Sequence, residues 1–408
     1  MAQGVFFNIP FHGHINPTLP LIAELTRRGD HITYYSSEAF RPAIEQAGAT
    51  FRGIDAFFTE RTPVDANLVR FAYTLIHATQ RMLPGLLAET RANPPDYILF
   101  DTLCIWGKCV AEILRIPAVA SISTIARPHE PMRREIAMAM LPMLPSSVRM
   151  LVEGRRELRK FNEVAGQLRA TYHISKMGVA DAYNNLADLN IVYSIKDLQA
   201  WPNTFDERFK FVGPFLDDSP QVAQAGTFPF DELGKRAAIY ISLGTVFNDR
   251  EDFYRLCFEA FADLNRRVIL SIGSRTDMSR LGAFPTNFIV RPFVPQLWVL
   301  RHAALFITHA GMNSVNEGLF ASVPLLMIPQ AADQFFIARR LQRLGVGKTL
   351  DASQLSADRL RSAAEEMLAN PVYHQQCERL SVALHQAGGP TAAADAIDAF
   401  KRQHALVS

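Results

Sequence analysis

Short apolar runs alternate with turn-forming stretches and amphipathic segments twice along the chain, and each repetition predicts a parallel α/β unit. In the first, residues 5–9 predict a strand, Gly13 a turn, 17–28 a helix, 31–35 a strand and 38–47 a further helix. Residues 97–100 read as a later strand, followed by a helix running to Leu114 and a strand near 118–121. From about Arg127 to Ala187 the pattern turns helical and rich in Met and Arg. Pro, Gly, Asp and Ser then concentrate in 217–235, the composition of a linker. The second repetition predicts a strand at 238–243 running into Gly244-Thr245, a helix at 251–265 and a strand at 267–272. It continues with a strand at 304–308, a turn at 309–313, a helix at 314–320 and a strand at 324–328. Gly388-Gly389-Pro390 interrupts the chain before an amphipathic helix at 391–403. The expected organisation is an α/β protein with a first domain at 1–216, a linker at 217–235, a second domain at 236–388 and a terminal helix at 389–408.

Composition narrows the class without choosing a function. With 408 residues, 49% of them hydrophobic, and a net charge of +2, the chain has material for substantial cores in about two or three domains. Charges of both signs are spread evenly, so no footprint for a nucleic-acid partner is present. Cys104, Cys109, Cys257 and Cys377 form no C-x-x-C pair and no metal-ligand spacing, as in a reduced intracellular protein. No uninterrupted apolar run reaches about 18 residues, and the chain begins directly with a strand. The expectation is a soluble, cytoplasmic protein without an integral membrane segment, a monomer or a weak dimer.

Candidate chemistry concentrates in residues 293–334. The strand at 304–308, the Gly-containing turn and the helix after it form one βαβ unit with its polar groups at strand ends. In open α/β sheets ligands lie at the carboxyl ends of the strands, where a helix N-terminus offers N–H groups and a positive dipole end to a phosphate. Each polar residue also has a purely structural reading. Ser314 and Glu317 form the S-x-x-E of a capping box. His309 suits an ordinary loop, and Asp333-Gln334 suits the start of the next helix. Capping alone does not require all of these groups at three separate element ends.

The segment resembles the donor-binding signature of family 1 UDP-glycosyltransferases, the group that contains plant secondary-product glucosyltransferases and bacterial macrolide glycosyltransferases. That resemblance implies the GT-B fold: two Rossmann-like domains facing a cleft, with the C-terminal helix crossing back to pack on the N-terminal domain. It implies that Phe293, where the family often has Trp, stacks at the uracil, and that Val294 and Gln296 meet the base and ribose. His309, Gly311, Asn313 and Ser314 would hold the diphosphate together with the turn at Gly244-Thr245. Glu317 would bind the ribose hydroxyls, which argues for UDP because a carboxylate accepts from both hydroxyls of a diol. Asp333 and Gln334 would bind the sugar, with glucose as the expected hexose.

The first half supplies an expected catalytic pair. His14, in G-H-I-N-P, follows the first strand, and Asp101 ends the strand at 97–100. A neutral imidazole has the basicity to take a proton from a hydroxyl acceptor, and an aspartate at the other ring nitrogen would fix its tautomer. Alone, Asp101 equally suits the cap of a following helix, and His14 a loop histidine. Both match the family's His–Asp dyad, and His12 does not. The reaction expected from the resemblance is a single inverting displacement, with no cofactor and no metal, from a UDP-sugar to a hydroxyl of a polyketide, macrolide, flavonoid or other phenolic acceptor. Phe57, Phe58, Phe71, Trp106, Ile125 and Met132 are candidates for an apolar acceptor pocket and equally for core, and the Met-rich stretch 132–150 for an adaptable wall. Two other classes stay open: a nucleotide-sugar-binding protein without catalysis, and another GT-B enzyme such as a sugar-nucleotide epimerase. A dinucleotide oxidoreductase does not fit, because the first βα turn lacks G-x-G-x-x-G.

Overall fold

The computed structural model describes residues 1–55, 57–58, 67–128, 150–216, 228–229, 238–331 and 333–406 of the chain. They divide into two units: Met1–Tyr193 with Trp201–Val212 and Gly388–Ser408, and Ser194–Ala200 with Gly213–Ala387. The boundary expected at 216 is therefore displaced, since 194–200 and 213–216 pack with the second unit. Ser194 explains part of this: its Oγ donates to Asn316 Oδ1 at 2.9 Å, and its carbonyl accepts from Gly213 N at 3.2 Å. The expected linker lies outside the described residues apart from 228 and 229.

The first unit is built on strands β1 (Gln3–Phe7), β2 (His31–Ser36), β3 (Thr50–Gly53), β4 (Tyr97–Asp101), β5 (Ala118–Ile122), β6 (Leu189–Val192) and β7 (Phe209–Phe211). All pair in parallel, in the order β3-β2-β1-β4-β5-β6-β7. Their near-continuous apolar sequences follow from burial on both faces, complete along β4 and β5. A 25-residue helix, Leu68–Ala92, covers one face, its first turn capped by Asn67 Oδ1, which accepts from Val69 N at 3.0 Å. The helix expected at 17–28 starts only at Leu19, because Pro17 and Pro20 sit at a helix start rather than inside one. A short helix, His12–Ile15, precedes it, so His14 stands in a helical turn and not in an open loop. Of the helical stretch expected between 127 and 187 the structure describes Arg155–Tyr172, and residues 129–149 lie outside the described residues.

In the second unit β8 (Ala238–Ser242), β9 (Val268–Ser271), β10 (Phe288–Arg291), β11 (Ala303–Thr308), β12 (Leu325–Met327) and β13 (Gly347–Thr349) are again parallel, ordered β10-β9-β8-β11-β12-β13. In both sheets the strand order reverses beside the first strand, at β1/β4 and at β8/β11. The neighbouring connections leave in opposite directions there and open a crevice at the carboxyl ends. Among the described residues no helix is long and apolar enough to cross a membrane.

The terminal helix, Gly389–Gln403, packs on Leu19–Arg27 of the first unit. Arg28 reaches Asp395 and Asp398, each at 2.7 Å. Lys401, buried, donates to Asp30 at 2.6 Å and lies 2.7 Å from Asp398. Asp30 also accepts from Tyr97 Oη at 2.8 Å and Ala2 N at 3.1 Å, so the buried charge is enclosed by donors. Lys401→Met is expected to destabilise the protein by about 3 kcal/mol by stranding Asp30, and Asp30→Asn in that background to recover part of the loss. Urea denaturation of the two variants checks both.

Candidate active site

In the first unit the crevice beside β1 and β4 brings together the two residues singled out there. His14 and Asp101 are buried, and His14 Nδ1 lies 2.7 Å from Asp101 Oδ2. Asp101 Oδ1 accepts from Leu103 N at 2.8 Å, and the helix that follows begins only at Ile105 with Cys104 as its cap residue. The carboxylate thus closes a local turn with one oxygen and holds the imidazole with the other, and does not cap the helix as the structural reading proposed. Sequence reading missed two supports. Ser123, just beyond β5, places Oγ 3.0 Å from His14 Nδ1. Asn8, at the end of β1 and fully buried, donates through Nδ2 to the His14 carbonyl at 3.1 Å and to Tyr34 Oη at 2.7 Å. Both stand where a strand ends at the crevice, and that position was the available signal.

Of the residues named for an acceptor wall, Phe58, Phe71, Trp106 and Ile125 are buried and Phe57 is 40% exposed. Phe11, not anticipated, joins them to the dyad: its ring centroid is 6.3 Å from His14, 5.9 Å from Phe58 and 6.4 Å from Phe71. Trp106 sits behind Phe58 at 6.2 Å, while Phe57 lies under the Arg81 guanidinium instead. Met132 and most of the Met-rich stretch fall outside the described residues.

In the second unit the crevice beside β8 and β11 carries His309 directly after β11. Gly244, after β8, adopts φ +77°, and a Cβ there would stand 2.5 Å from His309 Cε1. A Cβ on Gly311 would collide with Nε2 of the same ring. The two glycines therefore clear the space that the imidazole fills. Asn248 Nδ2 holds the turn by donating to the Gly244 carbonyl at 2.8 Å, another contact that the sequence did not reveal. Burial lowers His309 from 6.5 to about 4, against an opposing push from the Ser242 backbone, and Nδ1 lies buried without completing a hydrogen bond. Burial thus disfavours the charged ring and holds it neutral at physiological pH.

The helix after His309 runs Met312–Phe320 with Gly311 as its cap residue. Ser314 is inside the first turn, so the capping-box reading of Ser314 and Glu317 fails: the glycine lets the helix start two residues earlier. Glu317 Oε2 instead accepts from Gln296 Nε2 at 2.7 Å. Asn313 and Ser314 lie in the first turn, where backbone N–H groups lack intrahelical acceptors. Phe293 is 46% exposed, whereas the Val294 side chain is buried. Thr245 is exposed. Asp333 precedes the helix Gln334–Leu344. Gln334 Oε1 accepts from Gln330 N at 2.8 Å and Ala331 N at 3.1 Å, which fixes the orientation of its amide.

Burial raises Glu317 from 4.5 to about 7, opposed by the Gln296 bond. Its carboxyl ionises earlier in the unfolded chain, so folding takes up a proton between those values and stability falls as pH rises through them. His309 acts in the opposite sense. The unfolded chain protonates it first, and stability is lost as pH falls from 6.5 toward about 4.

Residues 185–391 match the model of the family described as UDP-glucoronosyl and UDP-glucosyl transferase. The NDP-glycosyltransferase YjiC of Bacillus licheniformis is 35% identical over 401 residues, covering 97% of this chain and 96% of that one. Oleandomycin glycosyltransferase of Streptomyces antibioticus is 31% identical over 407 residues, covering 98% and 90%. The solved structure of the glycotransferase of kitacinnamycin superposes with a TM-score of 0.81 at 29% identity, covering 98% of this chain and 99% of that one.

Glu317→Gln is expected to stabilise the protein by about 1 kcal/mol near pH 8, where the buried carboxylate is charged, and to change little near pH 5. Denaturant titrations at the two pH values test it.

Proposed function

The chain belongs to the UDP-glucoronosyl and UDP-glucosyl transferase family and has the GT-B fold of its bacterial macrolide-type members, and on that premise we propose that it is an inverting enzyme moving glucose from UDP-glucose to a hydroxyl of a small, largely apolar natural product. The observation that carries this reading is the 2.7 Å contact between His14 Nδ1 and Asp101 Oδ2 at a sheet crevice. With Nδ1–H donated to the carboxylate, the lone pair of Nε2 is the basic site. That nitrogen takes the proton from the acceptor hydroxyl as its oxygen attacks the anomeric carbon from the face opposite the diphosphate. The C–O bond to the diphosphate breaks in the same step, so an α-linked donor gives a β-glycoside and UDP departs with the bonding pair. Asp101 stabilises the imidazolium that results.

Negative charge grows on the departing diphosphate. The neutral N–H of His309 and the helix start at Met312–Phe320 are suited to receive it without a metal. Glu317, held by Gln296, is suited to accept from the ribose diol, which favours UDP over a 2′-deoxyribose nucleotide. Asp333 and the Gln334 amide nitrogen take sugar hydroxyls. Phe11, partly buried beside the dyad and backed by Phe58 and Phe71 of the core, gives it an apolar neighbour, in keeping with an acceptor such as a macrolide or phenol, and the relative named for oleandomycin supports that class.

His14→Ala is expected to lower kcat with an alcohol acceptor by about 100-fold or more while UDP affinity stays near wild type. Glu317→Ala is expected to weaken UDP binding instead, by roughly 10-fold. Product mass and anomeric configuration from an acceptor panel, with calorimetry of UDP, check both. Near-full turnover in His14→Ala, or UDP release that needs no acceptor, would overturn the proposal.

A further inference from the structure

Tyr240 lies on β8, 1% exposed, with its ring stacked on Phe306 of β11 at a centroid distance of 4.8 Å and an interplanar angle of 16°. Its hydroxyl is nevertheless engaged at the crevice. Tyr240 Oη donates to Gln296 Oε1 at 3.0 Å, and Gln296 Nε2 donates to Glu317 Oε2 at 2.7 Å. The direction of this chain follows from its far end. In the structure the amide turns its NH2 to Glu317, the arrangement that an ionised carboxylate requires. Its oxygen then faces the phenol, which must donate. Burial keeps the phenol protonated by raising it well above its ordinary value, and Ser242 and Ser271 flank the hydroxyl.

We propose that Tyr240 is a positioning residue for nucleotide recognition: by donating to Gln296 it fixes the amide orientation that aims the Glu317 carboxylate at the ribose hydroxyls. The proposal rests on the reading of Glu317 as the ribose acceptor. Without the phenol hydroxyl the amide is held only at its Glu317 end, and Oε1 is left without its donor. With one of its two anchors gone the amide can swing, and the acid loses part of its orientation. A tyrosine kept only for packing has no such consequence, because phenylalanine preserves the ring stacked on Phe306.

Calorimetric titration of UDP and 2′-deoxy-UDP into the whole protein separates these roles. Wild type is expected to bind UDP roughly 5-fold or more tightly than 2′-deoxy-UDP, through the hydrogen bond that the second nucleotide lacks. Tyr240→Phe is expected to weaken UDP by roughly 3- to 10-fold, to weaken 2′-deoxy-UDP much less, and so to narrow the ratio. Gln296→Met, which removes the amide without touching β8, is expected to narrow it equally, and the double variant no further. A thermal melt of each variant accompanies the titrations, and Gln296→Met carries the test should Tyr240→Phe not fold. An unchanged ratio in the folded variants overturns the relay and leaves the ribose reading intact. Equal affinity of wild type for the two nucleotides overturns the ribose reading itself, and the relay with it.

Discussion

A parallel sheet whose strand order reverses has one place where neighbouring connections leave in opposite directions, and the chemistry of each unit collects there. In the first unit that place is the end of β1 and β4, where the register pairs Phe7 with Phe100 and so sets the segments carrying His14 and Asp101 side by side. In the second it is the end of β8 and β11, where Ser242 pairs with Thr308 and brings Gly244 against His309. Neither pairing requires the chain to bend toward its ligand. Strand register alone juxtaposes residues 87 positions apart in the dyad.

The crevice of the second unit is built from groups held away from their ordinary ionisation. His309 is neutral and Glu317 is poised near neutrality, both because burial disfavours charge. Their effects on folding have opposite pH dependence, so the site does not commit the apo protein to a single sense of pH sensitivity. The crevice is preorganised mainly by excluded volume and by neutral hydrogen bonds. Two glycines shape the imidazole's slot, and an amide stands between a phenol and an acid. Groups that keep their orientation before a ligand arrives lose less freedom when it binds.

The alternation of apolar runs made the parallel strands and their strand-end residues legible, because a strand buried on both faces leaves a continuous apolar signature. The core of the dyad and the segment from Phe293 to Gln334 were readable for that reason. What escaped has physical causes too. The helix Leu68–Ala92 carries an interior Pro84 and mixed polarity, so its period is blurred. Ser314 with Glu317 satisfied a capping pattern that Gly311 pre-empted. Ser123 and Tyr240 act through contacts to residues distant in sequence, Asn8 and Asn248 through side-chain bonds to nearby backbone carbonyls, and the local pattern around each is that of an ordinary strand or loop.

The tie between Lys401 and Asp30 spans 371 positions. A ribosome delivers Asp30 long before Lys401. Until residue 401 emerges the first unit therefore lacks the cation that its buried aspartate faces, and the helix Leu19–Arg27, which follows His14 closely, lacks its covering partner. The first unit begins before the second and finishes after it. Its final docking thus waits for residues that follow the whole second unit, whatever the order in which its own strands emerge.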